Sequence, residues 1–109
     1  MQIEIQECSE LLAEMMKDHP DYRRYLDISA QLEEDPELAA RVHAFRKRNY
    51  KLQNSSADPE QEMLNMVHEY QELIRKPLVG AYFEAEAGVC RMLQEVKEYL
   101  NSEIQLPEL

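Results

Sequence analysis

The chain has 109 residues and carries 22 acidic against 12 basic side chains, a net charge of −10. That length suits one small domain with one core, and an acidic surface argues against broad nucleic-acid binding, because counterion release needs positive charge. Leu, Glu, Ala, Met, Gln and Lys dominate, glycine occurs only twice, no β-branched run alternates and no apolar stretch reaches membrane-spanning length, which together exclude strands and a transmembrane helix.

Prolines divide the chain into five helical segments. The first is predicted over about Ile3–Lys17, with Ile5, Cys8, Leu12 and Met15 on one face and Leu11 and Met16 beside it. Asp18-His19-Pro20-Asp21 then opens a second helix, to about Glu34, with Tyr22, Tyr25, Ser29 and Leu32 in register. Asp35-Pro36-Glu37 is a stronger start: the aspartate caps, the proline presets φ, and acid in the first turn suits the helix dipole. The third helix runs to about Gln53, with Leu38, Val42, Phe45 and Leu52 in register and Asn49 in one core slot. A polar loop over 53–57 leads to Asp58-Pro59-Glu60-Gln61, where Gln61 completes a capping box with Asp58. The fourth helix, to Lys76, places Met63, Val67, Tyr70 and Ile74 in register, flanked by Leu64, Met66 and Leu73. Lys76-Pro77 either starts a fifth helix or kinks a longer one. The fifth segment runs from Pro77 to about Glu103, and the chain leaves it before Pro107.

The fifth helix carries the strongest pattern. Leu78, Tyr82, Ala85, Val89, Met92, Val96 and Tyr99 follow at alternating steps of 4 and 3, three uninterrupted heptads, with Val79, Leu93 and Leu100 beside them. Such a helix must lie against other helices of its own chain or of a second one, and the heptads serve both cases equally. Short connections make neighbouring helices antiparallel. The expected fold is therefore all-α, an antiparallel bundle of about five helices with a long C-terminal helix, one domain over residues 1–109, and oligomeric.

The chemistry-bearing residues point away from catalysis. His68-Glu69-Tyr70-Gln71-Glu72 has glutamate where a zinc protease needs its second histidine, and His68 shares a polar face with Gln61, Asn65 and Glu72. His19 and His43 have no recognisable partner, and neither a phosphate loop nor a nucleophile elbow occurs. The expectation is no enzyme, no catalytic residue, no metal and no cofactor. Cys8 and Cys90 lie on or near apolar faces, which favours small buried hydrophobes over a disulfide framework. A metal- or redox-responsive pair is the weaker alternative. The start, Met1-Gln2-Ile3-Glu4, lacks the features of a signal peptide, so a cytoplasmic location is expected.

Charge is uneven. Residues 36–54 hold five basic side chains against one acidic. On a helical wheel Arg41, Lys47, Arg48 and Lys51 share one flank and Arg46 lies on the other. Ion pairing to the surrounding acidic helices is the favoured role, setting register and partner choice at up to ~1 kcal/mol per exposed pair. A docking patch for RNA or for an acidic partner is the sharper alternative, lacking interleaved exposed aromatics apart from Tyr50. Gly80 and Gly88 permit a close helix crossing or are simply tolerated, at about 1 kcal/mol each relative to alanine. Asn49 fixes register and oligomeric state, or bonds solvent near the helix end. The six methionines serve an adaptable surface or an ordinary core.

The segments His19-Pro20-Asp21-Tyr22-Arg23-Arg24-Tyr25, Asp35-Pro36-Glu37-Leu38 with Phe45 seven residues on, and Lys76-Pro77-Leu78-Val79-Gly80-Ala81-Tyr82-Phe83-Glu84-Ala85-Glu86 resemble, in order and spacing, the YlbF/YmcA family of bacterial proteins. The resemblance spans nearly the whole chain. It implies a small helical protein, without enzymatic activity, that associates with itself or with relatives. Such relatives support competence, sporulation and biofilm development, in a complex that assists the endoribonuclease RNase Y in messenger RNA maturation. Some members use cysteines near the C-terminus to bind an iron–sulfur cluster; residues 102–109 contain none, so cluster binding is not carried over. The expected function is thus a non-enzymatic cytoplasmic adaptor, with an RNA-binding accessory role through the third helix as the alternative. Its partners would be a second copy, a family relative or an RNase Y-type complex, with no membrane involved.

Overall fold

The computed structural model describes the backbone of residues 2–53 and 59–105. It is all-α, with helices α1 (Ile3–Lys17), α2 (Pro20–Glu33), α3 (Pro36–Gln53), α4 (Pro59–Ile74) and α5 (Pro77–Ile104), and no strand among the described residues. The Asp58–Gln61 capping box, the 54–57 loop and the tail from 106 onward lie outside the described residues.

The starts follow from local chemistry. Asp35 Oδ1 accepts the Leu38 N–H at 3.2 Å, satisfying a first-turn donor of α3 as the sequence predicts. At α2 the cap is an imidazole: His19 Nδ1 accepts the Asp21 N–H at 3.1 Å. The Lys76-Pro77 junction is a true break. Lys76 N–H donates to the Leu73 carbonyl at 3.1 Å, while the Lys76 carbonyl accepts from Val79 at 3.0 Å and Gly80 at 3.1 Å to open α5. A Cβ on Gly80 would meet the Ile74 carbonyl oxygen at 3.3 Å, so glycine lets α5 start tight against the end of α4. At the far end Gln105 takes a left-handed conformation (φ 51°) and its N–H donates to Asn101, a common helix exit.

The chain divides into two compact units. The continuous unit, Asp27–Phe83, holds the end of α2, all of α3 and α4 and the first turns of α5. In its core Leu32, Val42, Leu73 and Val79 are fully buried, with Ala39, Phe45, Met66 and Tyr82 nearly so. Arg41 pairs with Glu72 at 3.5 Å and Arg48 with Glu69, so α3 and α4 run antiparallel. Phe45, Tyr70 and Phe83 form an aromatic cluster, with Phe45–Tyr70 centroids 6.0 Å apart and Tyr70–Phe83 5.6 Å.

The terminal unit joins Met1–Leu26 to Glu84–Leu109. Asp21 lies beside Gly88, and Arg24 sits 3.9 Å from Glu84, so α2 and α5 are antiparallel here. A Cβ on Gly88 would find only ordinary contacts, at 3.7 Å, with Asp21 and Arg91. Among the described apolar side chains of this unit only Ala85 is fully buried, and α1 has no buried residue.

Two expectations are corrected. In α4 the buried stripe is Met66 and Leu73, not Met63, Val67, Tyr70 and Ile74, all of which are exposed. The helix carries two adjacent apolar stripes, and burial of the second leaves Glu69 and Glu72 paired with Arg48 and Arg41 of α3. Cys8 and Cys90 are exposed rather than buried. Cys8 sits on a helix with no buried residue, and Cys90 projects one residue past the heptad line.

Candidate association surface

The heptad residues of α5 pass from covered to uncovered along the helix. Leu78 is half-buried, Tyr82 and Ala85 are buried, Val89, Met92 and Val96 are half-buried, and Tyr99 is exposed. The covered end is occupied within the continuous unit. The Tyr82 ring meets Phe83 edge-on at 5.7 Å, and Arg46 both donates to the Tyr82 hydroxyl at 2.7 Å and stacks over the ring at 5.8 Å. That cation–π contact was not legible in the α3 sequence, where Arg46 reads only as one more basic residue. Its signal is weak: an arginine next to a core phenylalanine, facing a tyrosine 36 residues away.

The uncovered end belongs to the terminal unit. Leu12, Met15 and Met16 of α1 face Met92, Val96 and Leu100 of α5 across an apolar groove of about 570 Å³, with His19 and Glu95 at its lips. On α1, Ile5, Leu11, Leu12 and Met15 fall within one helical face and are 36–64% exposed. On α5, Leu93, Tyr99, Leu100 and Ile104 are 47–65% exposed. In water an isolated amphipathic helix of 15 residues is marginal, so α1 needs cover on this face to be stable. The heptads of α5 lead into the same face.

The basic residues of α3 divide by partner. Arg41 and Arg48 are committed to α4 and Arg46 to Tyr82, while Lys47 and Lys51 are exposed and make no ion pair among the described residues. Among the histidines, His43 lies 2.9 Å from Glu33 and His68 3.6 Å from Glu72, both at the surface. Asn49 is half-buried. No cluster of three or more metal-ligating side chains occurs among the described residues, and no described helix is long and apolar enough to cross a membrane.

A small chain that is wholly helical among the described residues, with an apolar groove between two of its helices, is by class an all-α protein. More particularly, it belongs to the YlbF/YmcA family, described as control of the competence regulator ComK, whose family model matches residues 5–105 and so covers both units. No curated protein and no solved structure matches the chain.

Proposed function

We propose that this chain is a non-enzymatic, cytoplasmic adaptor that acts by helix-mediated association with its own kind or with a family relative. Membership of a regulatory family supports a regulatory role. The observation that carries the adaptor reading is the uncovered apolar face of α1 and the C-terminal half of α5, lined by Leu12, Met15, Met92, Val96, Tyr99 and Leu100. Monomeric proteins seldom expose apolar patches beyond roughly 300–600 Å², and larger ones mark interaction sites. The association seam on this reading is Leu78, Tyr82, Ala85, Val89, Met92, Val96 and Tyr99, used inside the chain at its start and between chains at its end. By resemblance, the assembly supports RNase Y-dependent messenger RNA maturation and, through it, competence and sporulation.

The test is affinity capture of the tagged chain from its native host, with identification of what comes with it. A family relative or an RNase Y-type ribonuclease, lost when Tyr99 is changed to Asp, is the expected result. Recovery of the chain without any such partner, in wild type and variant alike, would overturn the reading.

A further inference from the structure

We propose that His19 is a proton-operated joint between α1 and α2: its neutral ring caps α2, and protonation of that ring withdraws the cap. A helix leaves its first N–H groups without partners of its own, and the residue just before it commonly supplies an oxygen to one of them. Pro20 is the first residue of α2, which puts His19 in the capping position and Asp21 second in the helix. Here the acceptor is a ring nitrogen, since the Asp21 N–H donates to His19 Nδ1 at 3.1 Å. A ring nitrogen accepts only while it keeps its lone pair, so the capping ring is the neutral form with its proton on Nε2. An asparagine in the same place would cap without titrating. Histidine ordinarily changes charge between about pH 5 and 8, so this cap is tied to pH in the physiological range.

The backbone of His19 belongs to both helices. Its N–H donates to the Met16 carbonyl at the end of α1, and its carbonyl accepts from Tyr22 and Arg23 at the start of α2, each at 3.1 Å. The charged groups around the ring are accounted for on every side. On α2 the Asp21 carboxylate lies 3.7 Å from Nδ1. At the end of α1, Lys17 pairs with Glu14 at 3.5 Å, and Asp18 pairs with Arg23 at 3.3 Å. From α5, Glu95 lines the groove together with the ring, and Arg91 lies with Asp21 beside Gly88. Once protonated, Nδ1 is a donor; it releases the Asp21 N–H to water and turns to the Asp21 carboxylate already beside it. A positive charge at a helix N-terminus also opposes the helix dipole. Acid therefore loosens the first turn of α2 where α1 joins it, and sets a cation on the groove that Met16, Met92 and Val96 line. His43 and His68 respond in the opposite sense, because their rings face the carboxylates of Glu33 and Glu72 and protonation strengthens those contacts. The joint operates whatever the groove binds.

The experiment is nuclear magnetic resonance on the nitrogen-15-labelled full chain from about pH 8 to about pH 5, for wild type, His19→Asn and His19→Ala. One readout is the pair of ring nitrogens of His19, which reports where the proton sits. The other is hydrogen-exchange protection of the Asp21 amide, corrected for the intrinsic effect of pH on exchange. At the upper pH the wild-type ring should carry its proton on Nε2. Protection of Asp21 should then fall about three- to tenfold as the ring protonates, the size of a lost helix cap. His19→Asn should hold the higher level at both ends of the range, and His19→Ala should stay at the lower level throughout. A neutral ring protonated on Nδ1 overturns the proposal. So does Asp21 protection that is unchanged in wild type, or that falls with pH to the same extent in either variant, since the response would then belong to another group.

Discussion

The continuous and terminal units are made of the same kind of helix and yet differ in what their apolar faces meet. In Asp27–Phe83 segments of four helices close on one another, and Leu32, Val42, Leu73 and Val79 are fully buried. In the terminal unit, amphipathic helices leave Met15, Tyr99 and Leu100 exposed to water. The first is a finished core; the second is a surface built from core residues. The contrast teaches that apolar periodicity encodes a demand for cover, and that the demand can be met within the chain in one half and from outside it in the other.

The sharpest break of that comparison is a matched pair of truncations. Leu73→Ala should cost about 2–5 kcal/mol by urea unfolding, since it empties a fully enclosed site. Leu100→Ala, half exposed in the isolated chain, should cost less than about 1 kcal/mol at concentrations too low for association. Equal losses would mean that both units are closed. Next in size is Val89→Asp, at the boundary between covered and uncovered α5. It should disperse the assembly or unfold the terminal unit, at about 2 kcal/mol or more for a carboxylate placed among apolar side chains. An unchanged mass and melting temperature would contradict it. Arg46→Ala should cost about 1–2 kcal/mol through loss of the hydrogen bond to, and stacking on, Tyr82. Arg46→Lys should recover only part of this, since ammonium lacks the planar face.

Two smaller effects test the edges of each unit. Gly88→Ala should raise stability by about 0.5–1 kcal/mol, because the new methyl meets only ordinary contacts and the helix gains propensity. A loss would mean that the α2–α5 approach in the terminal unit is tighter than 3.7 Å implies. Arg41→Ala should change unfolding by less than about 1 kcal/mol, since both it and Glu72 stay in contact with water. A larger effect would make the α3–α4 ion pairs a main determinant of which α4 face is buried.

The helix boundaries were legible because punctuation is local. Prolines at 20, 36, 59 and 77 each fall on the first residue of a helix, and the Asp35 cap forms as its position in the sequence predicts. Packing was legible only where one stripe dominates, as in α3, whose Val42 and Phe45 are buried. It failed in α4, where two adjacent stripes compete and packing against the rest of the unit, absent from a helical wheel, decides between them. It failed again at Cys8, because a helical wheel shows which residues share a face but not whether anything lies over it. Phe83 and Ala39 escaped for a related reason: neither is on the main stripe of its helix, yet Phe83 packs against Phe45 and Tyr70 and Ala39 is buried. The apolar character of the groove was visible in α1 and α5 separately, but their joining across one cleft depends on tertiary placement.

The division of the chain also fixes an order of events during synthesis. The continuous unit is one uninterrupted run, and its helices meet near neighbours along the chain, so it can form as soon as residue 83 is free of the ribosome. The terminal unit draws on both ends, and α1 must wait through the making of everything between before α5 exists to receive it. Until then α1 is the segment of the nascent protein most open to proteases and chaperones.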